Sequence, residues 1–309
     1  MSLAFESHPA TASGPAAQTT ARTPVPTAVL MCPPTYFDVT YAINPWMDPS
    51  VPTDAARAVA QWQELRDTYT RLGIVVHEIE GVDGLPDMVY AANGATVIDS
   101  IAYTASFLYP ERQPEAAAYA EWLARAGYDV VEATHVNEGE GDLLAIGDMI
   151  LAGTGFRSTI ASHREARRVF DREVVTLMLV RPEYYHLDTA LAVLDARPGH
   201  ELIAYLPSAF AAASRAELEL RFPDAIIVDE EEAAMLGLNI VSNGRDVVMP
   251  ARATRFAAAL RERGFNPVGV DLSELLKGGG GVKCCTLALR GSNNLRGSNN
   301  LRGARVQGD

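Results

Sequence analysis

Cysteine is scarce in this chain: three in 309 residues, at 32, 284 and 285, an odd count with two adjacent. That excludes a disulfide framework and fits a reducing, cytoplasmic compartment. Long apolar runs are missing too. None approaches the roughly 18–20 residues that span a bilayer, so no membrane partner is expected. Residues 1–26 lack the basic start and apolar core of a secretory signal. Bases are in deficit, 26 Lys+Arg against 39 Asp+Glu, for a net charge of −13; between 27 and 290 the balance is 22 to 37. Such a surface repels phosphate backbones, which argues against a nucleic-acid partner, and it attracts small cations. No Gly-x-Gly-x-x-Gly follows the first strand-like run, and the glycines at 278–281 are not followed by Lys-Ser/Thr, so nucleotide binding is disfavoured. Cys-x-x-Cys and His-Glu-x-x-His are absent, and a lone His-x-Asp offers too few ligands for zinc. No cofactor or metal is expected.

What is present is an ordinary globular composition, 48% hydrophobic, too apolar for a disordered chain. Length admits two domains or one large α/β domain. Residues 1–26, rich in Ala, Thr, Ser and Pro, read as a disordered tail. So does 291–309, most of it an RGSNNL hexapeptide written twice from Arg290; two polar copies build no solenoid. Between them, strand-like runs at 27–32, 74–79, 88–98, 128–132 and 143–151 are interleaved with helical patterns at 54–72, N-capped by Thr53, and at 115–126. The second half continues with strands at 174–180, 186–194, 202–206, 225–228, 247–249, 267–270 and 282–289. Its helices fall at 163–171, 208–221, from Asp229, at 251–263 and at 272–276. Pairs of strands separated by single helices recur about five times, which predicts an α/β fold with mixed sheets.

Four local patterns bear on chemistry. In GGGGVKCCTL (278–287) glycines let a backbone approach a ligand, and a cysteine beside Lys283 has a cation near its thiolate. If the stretch is a strand, Cys284 and Cys285 face opposite ways and one of them meets the site. His186 and Asp188, at i and i+2 of a strand, share a face, although His-x-Asp alone is more often a structural pair. Glu138, Glu140 and Asp142 form an acidic cluster with two glycines, and Asp87 and Asn93 share an extended stretch; singly these are turn residues. One thiol, one imidazole and several carboxylates together suit attack on a cationic amidine carbon.

Seven segments in order carry a resemblance: MCPPTYFDVTYAINPWM (31–47), LPDMVYAANGATV (85–97), ERQPE (111–115), EGEGD (138–142), GFRST (155–159), YYHLDT (184–189) and GGGGVKCCTL (278–287). On them the chain resembles the guanidino-modifying (amidinotransferase, or pentein) superfamily over about residues 31–289. By its INPWM and PDMVYAAN segments it is most like the arginine dihydrolase branch, near dimethylarginine dimethylaminohydrolase. The resemblance implies a single catalytic domain at 27–290, a five-bladed α/β propeller of ββαβ units. It implies Cys284 as nucleophile, with Cys285 a bystander, and His186 as general acid/base. Asp188 then supports His186 or touches the guanidinium. Glu138 and Asp87 hold guanidinium nitrogens, with Glu140 the rival to Glu138. Arg112 and Arg157 grip a substrate carboxylate, and Asn44 lines the pocket. Asn93 stands where deiminases and methylarginine hydrolases carry Asp; Tyr90, Ala91 and Gly94 stand where Phe, Thr and Ala are commoner in dihydrolases. The implied substrate is a small cationic guanidino compound, handled without a cofactor; a homo-oligomer is compatible with it. The expected reaction is arginine to ornithine, ammonia and carbon dioxide. The alternatives are dimethylarginine dimethylaminohydrolase or deiminase chemistry ending at citrulline, an amidinotransferase, and a non-catalytic binding protein.

Overall fold

The computed structural model describes residues 27–291 together with Arg22, Pro24 and Val25. Apart from these three and Gly291, the segments read as tails, and all but the first residue or two of the duplicated hexapeptide, lie outside the described residues. Arg22 packs back on the domain, pairing with Asp195 at 3.2 Å and lying 3.7 Å over the Phe265 ring, and the Val25 N–H donates to Asn243 O. The packed chain therefore reaches upstream of residue 27.

Five three-stranded sheets share one design. The first contains β1 (Ala28–Met31), then α1 (Ala55–Arg71) and β2 (Val75–Glu78). The second runs β3 (Ala95–Ile98), β4 (Ile101–Thr104), α2 (Glu115–Arg125), β5 (Asp129–Val131), and the third β6 (Leu143–Ile146), β7 (Met149–Thr154), α3 (Ile160–Phe170), β8 (Glu173–Met178). A short helix, α4 (Leu187–Ala190), precedes the fourth: β9 (Leu191–Asp195), β10 (Leu202–Tyr205), α5 (Ala212–Arg221), β11 (Ile226–Ile227). Another, α6 (Glu230–Ala233), precedes the fifth: β12 (Val241–Ser242), β13 (Asp246–Pro250), α7 (Thr254–Glu262), β14 (Asn266–Val270). The chain ends on β15 (Leu287–Leu289), which completes the first sheet. Each middle strand pairs antiparallel with the strand before it and parallel with the strand after the helix; in the first sheet β15 is the antiparallel partner, with Ala28 opposite Leu289. The strand and helix patterns predict these mixed sheets, and the ββαβ order is the one the family resemblance implies.

Helix faces follow the apolar spacing. α1 buries Ala58, Trp62, Leu65 and Tyr69, and α2 buries Glu115, Tyr119 and Leu123, four residues apart. The N-cap of α1 is Asp54, accepting from the Arg57 N–H at 3.0 Å, not Thr53, whose hydroxyl donates to Asp38. Most strand readings hold, and four need correction. The run 88–98 is two 3₁₀ turns, Pro86–Val89 and Ala91–Gly94, before β3; it is apolar because it is a buried loop. Residues 143–151 are a hairpin, with Gly147 at φ +54° making its turn. In 186–194 the strand begins only at Leu191, because Asp142 captures the Leu187 N–H and Thr189 bonds back to His186 O. In 282–289 only the last three residues are a strand; 282–285 form a turn in which Cys285 N–H reaches Gly281 O and Thr286 Oγ1 donates to Val282 O.

The Gly94 position exemplifies the tightness of this packing. A Cβ there falls within 2.7 Å of three ring carbons of buried Tyr119. Gly94→Ala is expected to destabilise the fold by about 1–3 kcal/mol, read as a lower urea midpoint at unchanged m-value.

Candidate active site

Each sheet is entered through a buried loop just ahead of its first strand, and these loops carry the polar groups. Asp87 and Asn93 precede β3, Glu138 precedes β6, His186 and Asp188 precede β9, Asn239 precedes β12, and Cys284 precedes β15. All seven are buried. Turn chemistry rather than strand alternation therefore aims these side chains. His186 N-caps α4 with extended backbone, and Asp188 lies within that helix, so the shared strand face expected for the pair does not exist.

Glu138 is the hub. Its Oε2 meets His186 Nε2 at 2.8 Å and accepts from Arg157 Nη1 at 2.8 Å, while Oε1 accepts from the Leu108 N–H at 3.3 Å. Burial pushes this carboxyl up, but Arg157 and His186 outweigh it and hold it at about 2. The imidazole's support is thus Glu138, not Asp188. Both Glu138 oxygens thus have protein partners. Glu140 faces elsewhere: it pairs with Lys283 Nζ at 2.6 Å and with Arg290, and accepts from the Ala288 N–H. Two glycines make this loop work. At Gly141 a Cβ would run into Asn93 Nδ2 and stand 3.2 Å from the His186 ring, and Gly139, at φ +53°, lies against the backbone of Ala92 and Ala95.

The open acceptors belong to the aspartates and the imidazole. Asp87 Oδ2 accepts from Tyr41 OH at 2.9 Å, and Asp188 Oδ2 accepts from the Cys284 thiol at 3.4 Å. Asp87 Oδ1, Asp188 Oδ1 and His186 Nδ1 are buried without a partner. Burial raises both carboxyls, Asp188 to about 6. Buried polar atoms are almost always satisfied; unpaired oxygens on two buried carboxyls await N–H donors. Burial and Asp188 push the Cys284 thiol well up. Cys285 is likewise buried, and its thiol is raised by burial and by nearby Cys32.

Arg112 and Arg157, expected on a substrate carboxylate, are tied to protein groups. Arg112 meets Glu115 fork to fork, both bonds 2.9 Å, and donates to Asn93 Oδ1 at 2.8 Å and Asp87 O at 3.2 Å. Arg157 donates to Glu138 and Ile43 O and lies 4.6–4.7 Å from the Tyr109 and Tyr185 ring centroids. Asn93 accepts from Arg112 and donates to Glu138 O at 3.4 Å. Asn44 serves the glycine loop: Nδ2 donates to Gly278 O at 3.1 Å, and a Cβ at Gly279, φ +88°, would strike it. Lys283, read as a cation beside the thiolate, spends its Nζ on Glu140 and Thr286 O. Sequence reasoning missed Tyr41 and Glu115, which lie inside the 31–47 and 111–115 segments but in no motif that marks their role, and Asn239, which lies in no such segment. For Glu115 the i, i+3 spacing from Arg112 was the available signal.

No model of a known protein family matches the chain. It is 54% identical over 268 residues to N(G),N(G)-dimethylarginine dimethylaminohydrolase of Mycobacterium tuberculosis, with 87% of each chain covered. It is 37% identical over 266 residues to the bifunctional arginine dihydrolase/ornithine cyclodeaminase ArgZ of Synechocystis, covering 84% of this chain and 37% of that protein. The solved N-terminal domain of ArgZ, a cysteine-to-serine mutant bound to substrate, matches with a TM-score of 0.82 at 35% identity, over 85% of this chain and 98% of that one.

The Arg112–Glu115 pair is wholly buried, so removing one partner strands the other. Arg112→Met is expected to cost about 3–5 kcal/mol, and Arg112→Met/Glu115→Leu to recover most of it, both measured by urea unfolding.

Proposed function

The chain belongs to the family of dimethylarginine dimethylaminohydrolases and arginine dihydrolases, hydrolases of guanidino groups, and on that premise we propose that it converts L-arginine to ornithine, ammonia and carbon dioxide through a covalent adduct on Cys284. The observation that carries the reading is the pair of buried carboxyl oxygens without partners, Asp87 Oδ1 and Asp188 Oδ1, with the Cys284 thiol on the second carboxyl. A planar guanidinium offers several N–H donors in fixed directions. Supporting the propeller reading, the first strands of the sheets touch in succession, β15 with β3, β3 with β6, β6 with β9 and β9 with β12. We take the five sheets as blades whose entry loops meet at one site.

In the proposed cycle the cation neutralises Asp188, and the thiol proton passes to His186, whose imidazolium Glu138 stabilises. The sulfur adds to the guanidinium carbon. The tetrahedral adduct breaks a C–N bond, and His186 returns the proton to the departing ammonia. Water, deprotonated by His186, attacks the carbon; the C–S bond breaks, and a ureido product and the thiol are regenerated. A second round on the ureido carbon expels the second ammonia, and hydrolysis of the S-carbamoyl adduct releases a carbamate that decarboxylates to ornithine. Asn93 is proposed to permit the second round: a neutral amide both donates and accepts, and so tolerates an oxygen where a guanidinium nitrogen was. For Arg112 and Arg157 we propose the role of counter-ions to Glu115 and Glu138. Arg157 keeps three further N–H groups with which a substrate carboxylate can be met.

A second reading, dimethylarginine dimethylaminohydrolase, is favoured by the relative that is 54% identical and bears that name. Incubation with arginine and, separately, with asymmetric dimethylarginine, followed by mass identification, tests both. The proposal expects ornithine from arginine; citrulline and dimethylamine from the methylated substrate, with arginine untouched, would replace it by the second reading. Asn93→Asp is expected to raise the citrulline-to-ornithine ratio at least tenfold.

Asp188 also sets a pH dependence. Burial pushes its carboxyl up to about 6, from an ordinary value of 3.8. Its contribution to stability is therefore fully present at low pH and is lost as pH rises through about 6. Cation affinity runs the opposite way, needing the ionised form. By calorimetry with Cys284→Ser, arginine binding is expected to weaken about tenfold per pH unit below about 6.

A further inference from the structure

Asn239 lies two residues ahead of β12, fully buried, in the apolar stretch LGLNIV where no motif marks it. Its side chain reaches across to the loop of the nucleophile. Oδ1 accepts from the Lys283 N–H at 2.9 Å and from the Cys284 N–H at 3.1 Å. Nδ2 lies 3.2 Å from Asp188 O and 3.1 Å from Cys284 Sγ. The amide's orientation follows from chemistry: two backbone N–H groups are donors only, so the atom they meet is the oxygen. The atom facing sulfur is therefore the NH₂ group, with one hydrogen for Asp188 O and one for Sγ.

Sulfur thus sits between an acceptor, Asp188 Oδ2, and a donor, Asn239 Nδ2. Titratable groups beside it include Tyr185, Tyr90 and Cys285, and His186 acts on its acceptor, Asp188. Both tyrosine hydroxyls are committed to backbone carbonyls, Gly279 O and Leu275 O, and Lys283 Nζ to Glu140 and Thr286 O. Among the described residues Asn239 is the side chain that donates to the sulfur, helped by a backbone bond from Gly281 that also lowers the thiol.

We infer that Asn239 is a catalytic residue that holds the Cys284 thiolate, its Nδ2–H bonding the sulfur once the proton has left, while its Oδ1 fixes the loop that aims it. The inference rests on the reading of Cys284 as nucleophile. A thiol bonded to Asp188 gains little from a second donor; a thiolate gains a charge-assisted bond. The device favours the state that attacks carbon and the state that leaves when the adduct breaks.

The test compares wild type with Asn239→Asp, which keeps an acceptor for both backbone N–H groups and removes the donor to sulfur, and with Asn239→Ala, which removes both. The probe is a cationic chloroacetamidine, whose alkylation rate is followed against pH, with peptide mapping of the labelled cysteine. In Asn239→Asp the midpoint of the alkylation profile is expected to rise by about one to two pH units, and kcat to fall on the order of 10- to 100-fold with KM changed less than threefold. Thermal unfolding identifies loss of fold; if Asn239→Ala unfolds, Asn239→Asp carries the test. An unshifted alkylation midpoint in folded Asn239→Asp would overturn the inference and leave Asn239 a structural staple. Label on Cys285, or turnover by Cys284→Ser, instead sinks the nucleophile reading, and with it the basis of this one.

Discussion

The structure turns on a buried carboxylate that is kept ionised. Glu138 has no access to water, yet one of its oxygens meets both the His186 ring and the Arg157 guanidinium. An isolated charge in such a place would be expelled or neutralised. Arg157 makes it tolerable and is itself held between two tyrosine rings and by Ile43 O. The loop that delivers Glu138 must come close to its neighbours, hence its two glycines; the imidazole then has one fixed side and one open side. Arg112 meets Glu115 in a second buried pair, but there burial outweighs the guanidinium and pushes the carboxyl up to about 7; Asn93 links the two pairs by accepting from Arg112 and donating to Glu138 O.

The repeated sheets explain how so many charges can be collected without water. Most backbone hydrogen bonds are settled in the sheets, with a few such as the Ser106–Asn137 bridge in the entry loops, which leaves the side chains of those loops to pair with one another. The same repetition explains why polar residues far apart in sequence meet. Asn239 and Cys284 are separated by a strand pair, a helix and another strand, yet each occupies the corresponding entry position of its own unit.

Much of this was legible in the sequence, because strand and helix periodicity reports which face is buried. The αβ rhythm and the segments bearing Asp87, Asn93, Glu138, His186 and Cys284 could all be read. Three of the errors share one cause. The runs 88–98, 186–194 and 282–289 are apolar because they are buried loops, and burial alone does not distinguish such a loop from a strand. With the strands went the alternation argument, so Asp188 was paired with the wrong neighbour. Partnerships across the fold, such as Glu138 with His186 or Asn239 with Cys284, leave no local trace, since asparagine in an apolar stretch has no period and no motif.

The first sheet is completed by the last strand: β15 zips antiparallel to β1, and Glu140 ties Lys283 and Arg290 on either side of it. Cys284 precedes that strand by three residues. On the ribosome, then, the carboxylates, the imidazole and the asparagine emerge before the cysteine, and the site is assembled only when the two ends of the domain find each other. A C-terminally clipped chain loses the closing strand and the Cys284 thiol together, so the first sheet and the last side chain of the cluster are completed in a single event.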